Sequence, residues 1–261
     1  MSEAVLWEMR DDGVGLITLN RPDNRNSMTP ELLEAFGRAS KSASEESKLR
    51  VLIVTGTGRC FSAGADFKSN IQAGGDELLD HERSFRMYEP FLSLLDIKVP
   101  VIGALNGHAV GGGFGLALVC DIRIANRAAK YGANFARLGL HPGMGISYLL
   151  PRLIGVSRAS EMLYTARLVL GDEAERIGLV SHACDPEQVL PEALTMAKAI
   201  AENAPVAVRL TKESIRETLN WDVRGGAYRE AYAQAATVTM DDAKEGMSAL
   251  LEKRPPLFTG K

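Results

Sequence analysis

The chain has 261 residues, 46% of them hydrophobic and 24% charged, a balance that fits one large domain or a domain with an appendage and excludes disorder or a fibrous repeat. The net charge is −3, and no run of Lys or Arg is long enough to form a phosphate-binding stripe, so nucleic acid is excluded as a partner. Cys60, Cys120 and Cys184 lack C-x-x-C spacing, which predicts neither a zinc site nor disulfides but buried thiols in a reducing compartment.

The first dozen residues mix acids and bases without an apolar h-region, so no secretion signal is expected and the location is cytoplasmic. Val5 to Arg10 and Gly15 to Leu19 flank Asp11-Asp12-Gly13, which predicts a β-hairpin. Thr29 is placed to cap a helix that has Pro30 at its first position and Leu32, Leu33 and Phe36 on its apolar face. Val51 to Val54, Val101 to Leu105 and Ile122 to Ala125 are short apolar runs of the kind that form buried strands. The stretch from Val99 to Cys120 carries no charge, and Gly111 and Gly115 form a GxxxG. Pro100, Asn106, Gly107, His108 and three consecutive glycines argue against a membrane span, because they would leave backbone groups unpaired in lipid.

Strands alternate with helical segments to about residue 185, suggesting parallel βαβ-like units in an α/β fold. From Pro186 the spacing is helical only, with breaks at Asn203-Ala204-Pro205 and Asn220-Trp221-Asp222 and a stop at Pro255-Pro256. Residues 1–195 therefore read as the core domain and 196–261 as a helical C-terminal region. The apolar face of that tail, from Trp221 through Leu251, packs on its own core or against another subunit.

Two glycine-bearing loops follow the buried strands: Gly58 to Asp66, and Asn106 to Gly113. Glycine turns before helices free backbone N–H groups to face an anion. Neither loop has the spacing of a dinucleotide fold or a P-loop. Together, FSAGAD followed some forty residues later by NGHAVGGGFGLALVCDIRIA resembles the signature of the crotonase, or enoyl-CoA hydratase/isomerase, superfamily. LNRPDNRNSM, LGLHPGMG, LPRLIG, Gly178 to Val180 and EGMSALLEKRPPLF extend the resemblance over nearly the whole chain.

The resemblance implies a crotonase spiral of repeated ββα units with a C-terminal helical oligomerisation region, assembled as a homotrimer or a dimer of trimers. It implies an acyl-CoA thioester as substrate, coenzyme A as part of that substrate, and no separate cofactor or metal. The thioester oxygen would lie between the N–H groups of Ala65 and Gly112, where negative charge develops in the transition state. Arg25, Ala63, Phe67 and Lys68 match positions near coenzyme A, with Asp66 supporting the loop. Gly111, Phe135, Met144 and Phe258 match further positions of the substrate site.

The sequence departs from the hydratase pattern at both catalytic glutamates, which fall at Gly115 and Phe135. Neither residue moves a proton, so hydration by paired carboxylates is not expected. Glycine after the GGG motif is similar to the chlorobenzoyl-CoA dehalogenase branch, but the position of that branch's nucleophile falls at or near Gly143. The remaining acid/base candidate is His141, with a loop histidine bonded to a backbone carbonyl as the alternative. His108 reads as a packing residue, and His81 and Tyr88 fall in a segment where substrate choice is set in relatives. Hydrolysis, decarboxylation or carbon–carbon cleavage through His141 and water, and a catalytically silent acyl-CoA-binding protein, stand as alternatives.

Overall fold

A computed structural model describes residues 3–65, 79–219 and 222–260. The hairpin forms as β1 (Val5–Met9) and β2 (Val14–Leu19), paired antiparallel with Val5 opposite Leu19. Thr29 Oγ1 accepts the Leu32 N–H at 3.3 Å and opens α1 (Pro30–Glu45), whose Leu32 and Phe36 are buried. Phe36 meets Phe91 of α2 (Asp80–Leu92) edge to face, with ring centroids 4.9 Å apart.

The strands that follow are β3 (Val51–Gly56), β4 (Cys60–Ser62), β5 (Val101–Leu105), β6 (His108–Val110), β7 (Ile122–Asn126), β8 (Lys130–Gly132), β9 (Val169–Leu170) and β10 (His182–Cys184). The first member of each of the pairs β3/β4, β5/β6 and β7/β8, and the second member of β9/β10, enters a six-stranded sheet of order β1-β2-β3-β5-β7-β10. The other strand of each pair enters a four-stranded sheet of order β4-β6-β8-β9, and this alternation is the expected spiral. β2, β3, β5, β7 and β10 pair in parallel, and burial on both faces explains the apolar runs of β3 and β5. Leu52 and Val54 pack with α1 and α2 on one face, while Val51 and Ile53 pack with Val189, Ala193 and Ala197 on the other.

The uncharged stretch divides into β5, β6 and α3 (Gly112–Val119), and among the described residues no helix is long and apolar enough to cross a membrane. The chain continues through α4 (Ile146–Ile154), α5 (Val156–Thr165) and α6 (Gly171–Arg176). It ends in α7 (Val189–Ala201), α8 (Pro205–Thr218), α9 (Val223–Val238) and α10 (Asp241–Glu252). Residue 195, the boundary taken from sequence, falls inside α7. Of the second interhelical break, Asn220 and Trp221 lie outside the described residues, and Asp222 caps α9 through the Gly225 N–H. The three cysteines are free and buried.

α8 is fastened to the sheet by a charge cluster around the buried Lys212. Lys212 Nζ donates to Val99 O and lies 2.7 Å from Asp121 Oδ2, which also accepts the Val101 N–H. Burial pushes the Lys212 ammonium down to about 8, and Asp121 and Arg216 share the remaining charge.

Candidate active site

The first loop leaves β4 and is shaped from behind by two consecutive left-handed residues, Arg25 (φ 60°) and Asn26 (φ 52°). The fully buried Asn26 accepts the Arg21 N–H and donates to Thr57 O and Cys60 O. Its own carbonyl takes the Ser62 hydroxyl, and Arg25 O takes the Ala63 N–H at 3.0 Å. These bonds hold the left-handed turn and set the path of Ala63, Gly64 and Ala65. The Met28 N–H donates to Gly64 O at 2.8 Å, and Met28 and Ala65 form a parallel bridge. Met28 thus bonds to Gly64 and not to Ala65 itself, and in a parallel bridge of that register the Ala65 N–H points away from Met28.

The second loop leaves β6 and turns at Gly111, where φ is 58° and ψ is −125°, a backbone state open only to glycine. Gly112 is then the first residue of α3, with its N–H at the positive end of the helix. The two loops abut: a Cβ on Gly64 would lie 2.7 Å from Val110 O and 2.9 Å from the Gly112 nitrogen. Among the described residues neither the Ala65 N–H nor the Gly112 N–H has a hydrogen-bond partner. The Phe135 ring faces the same turn, 4.0 Å from the Cβ point of Gly111.

The two unusual glycines have a steric explanation. A Cβ on Gly115 would approach the Cβ of Met144 more closely than the 3.0 Å that real side chains respect, and Met144 is fully buried with φ at 66°. The same test on Gly143 strikes the hydroxyl of buried Tyr88. Methionine and tyrosine side chains thus fill the space into which residues 115 and 143 would project.

His141 is half-buried, and its Nδ1 lies 2.7 Å from Pro142 O. A carbonyl only accepts, so Nδ1 carries the hydrogen of this bond. This bond is the carbonyl contact of the alternative reading, made by one ring nitrogen. His108 Nδ1 accepts the Lys130 N–H, and burial together with Lys130 and Arg25 holds its pKa below the ordinary value. His81 is buried and stacks on Tyr232 with ring centroids 4.1 Å apart.

Ala65, Gly111, Gly112 and Phe135 are thus brought together, with Met144 packed against Gly115 in the same helix as Gly112. Ala63 and the exposed Arg25 lie at the back of the first loop. Asp66, Phe67 and Lys68 lie outside the described residues. Phe258 is 45% exposed in the tail after α10, where Glu245 accepts the Leu257 N–H and Asp242 those of Thr259 and Gly260.

Sequence reading missed Glu230, Gln234 and Thr237 of α9. Glu230 accepts the N–H groups of Gly145, Ile146 and Ser147 and the Ser147 hydroxyl, at 2.5 to 3.2 Å. Gln234 donates to His141 O and accepts the Tyr88 hydroxyl, while Thr237 accepts the His141 N–H. Burial pushes the Glu230 carboxyl up to about 7 against the four donors that favour the anion. Their spacing of four and three residues puts them on one helix face, the only signal the sequence offered.

The enoyl-CoA hydratase/isomerase family model matches residues 9–261. A putative enoyl-CoA hydratase/isomerase of Bacillus subtilis, YngF, is 39% identical over the whole of both chains. A crotonyl-CoA hydratase of Syntrophomonas wolfei is 37% identical over 97% of this chain and 96% of its own. The crystal structure of an enoyl-CoA hydratase/isomerase from Pseudoalteromonas atlantica superposes with a TM-score of 0.86 at 28% identity, covering 98% of this chain and 100% of that one. An enoyl-CoA hydratase from Bacillus anthracis gives 0.76 at 36% identity, covering 99% and 100%. The chain belongs to the enoyl-CoA hydratase/isomerase family and has the crotonase fold.

Proposed function

We propose that this enzyme binds an acyl-CoA thioester with its carbonyl oxygen between the N–H groups of Ala65 and Gly112, and stabilises the enolate or oxyanion that forms there. The observation that carries this reading is the contact of the two loops, with both N–H groups unpartnered among the described residues. One fixed donor of this kind contributes about 3 kcal/mol to the transition state, so a pair accounts for several powers of ten in rate. Arg25 and Lys68 supply cationic side chains for the coenzyme A phosphates.

The proton-moving group in this reading is His141 through Nε2, with hydrolysis, decarboxylation or carbon–carbon cleavage as the alternatives to isomerisation. Single-turnover product analysis separates them, and binding of acyl-CoA without turnover on any substrate would leave a binding protein. Ala65→Pro removes one donor. With fold and oligomeric state unchanged, it is expected to slow the chemical step about a hundredfold while weakening acyl-CoA affinity much less. An unaltered rate in a folded variant would falsify the role given to Ala65.

The exposed Tyr228 and Tyr232 of α9 and Leu250 and Leu251 of α10 support assembly as a trimer or a dimer of trimers. Light scattering at micromolar concentration is expected to give a multiple of three. A stable monomer would rule this out.

A further inference from the structure

We propose that Glu230 is a positioning residue for the acyl site, acting through Met144; the link to the acyl site rests on the oxyanion reading above. Three successive N–H groups, those of Gly145, Ile146 and Ser147, converge on the Glu230 carboxylate, and the Ser147 hydroxyl completes the set. They are the opening N–H groups of α4, which lack partners within the helix. Glu230 supplies the acceptor from another element, α9, and is 2% exposed. Gln234 and Thr237, on the same face of α9, hold both backbone groups of His141. The chain from 141 to 147 is therefore pinned at both ends by one helix.

Met144 lies between those pins. It adopts a left-handed backbone state that is unfavourable for a non-glycine residue, so the surrounding bonds must impose it. In that state its side chain lies along Gly115, and its ε-methyl comes within 3.5 Å of the Cβ point of Gly115. Gly115 belongs to the first turn of α3, closed by its N–H to Gly111 O at 3.1 Å, and that turn presents the Gly112 N–H. Releasing the carboxylate frees Met144 to leave the left-handed state, and the turn that aims the Gly112 donor loses its packing.

Glu230→Gln keeps the shape but turns an amide N–H₂ toward backbone N–H groups, which only donate. Ser147→Ala removes one donor and leaves α4 its backbone, which keeps the test open should the first variant fail to fold. The first readout is the ε-methyl resonance of Met144 in protein labelled with [13C-methyl]methionine, assigned by its disappearance in Met144→Leu. The second is the infrared carbonyl band of carbonyl-13C-labelled crotonyl-CoA bound to the protein, with binding of free coenzyme A measured alongside.

In folded Glu230→Gln the Met144 resonance is expected to move or broaden. The downward carbonyl shift seen with the native protein should fall by half or more, with coenzyme A affinity changed less than about threefold. Ser147→Ala is expected to move both signals the same way by less. An unmoved Met144 resonance in both variants overturns the coupling between Glu230 and Met144. A moved resonance with an unchanged carbonyl band overturns its role in the acyl site. Crotonyl-CoA bound to the native protein with no carbonyl shift would instead count against the oxyanion reading, and the Met144 resonance would still decide the coupling.

Discussion

Gly115→Ala is the sharpest test of how the site is filled. In an open helix the change would stabilise by about 1 kcal/mol through backbone entropy. Here the new methyl meets the Met144 Cβ inside van der Waals contact, and α3 is buried along its whole length. Overpacking of that kind costs about 1–3 kcal/mol, so the net expected loss is about 0–2 kcal/mol. Met144→Gly removes a fully buried side chain, at about 2–5 kcal/mol, and returns about 1–2 kcal/mol by relieving the left-handed backbone. In the Met144→Gly background the alanine fits, and Gly115→Ala should stabilise by about 1 kcal/mol. The two sites would then couple by about 1–3 kcal/mol, measurable by a double-mutant cycle in urea at fixed protein concentration. The reasoning fails if Gly115→Ala costs the same in both backgrounds.

The Glu230 carboxyl is raised from 4.5 to about 7 on folding, so the folded state holds its proton more tightly. Its stabilising contribution is complete below pH 4.5 and is lost as pH rises through 7, amounting to about 3 kcal/mol. Glu230→Gln should flatten that part of the pH–stability curve, and a curve of unchanged slope would refute the assignment. Lys212→Met leaves the half-buried Asp121 with Arg216 as its remaining cation and should destabilise by about 2 kcal/mol, read as a lower urea midpoint; a loss under about 0.5 kcal/mol would show the pair to be dispensable. With Gly115 and Phe135 at the glutamate positions, crotonyl-CoA hydration should run at least about a hundredfold below that of a relative carrying both carboxylates, and ordinary turnover would reveal a compensating residue.

The local features were legible in the sequence because each depends on neighbours along the chain. Asp11-Asp12-Gly13 marks the hairpin, Thr29-Pro30 starts α1, and the runs at 51, 101 and 122 become strands of the buried sheet. The motif resemblance also reached the family, since the FSAGAD and GGG loops carry backbone requirements that few residue types meet. What the sequence left as a puzzle was why glycine stands at 115 and 143. Those positions are decided by Met144 and Tyr88, one of them 29 residues away from its partner and the other 55, and no periodicity reports such a contact. Glu230, Gln234 and Thr237 were invisible for the same reason. On their own helix they are ordinary polar residues, and only the packing of α9 against α2 and the 141–147 segment takes them out of water and gives their side chains backbone groups to hold. The chain's own order thus determined its elements and its family, whereas the contents of the site were decided by long-range packing, where burial and unpaired N–H groups select the partner.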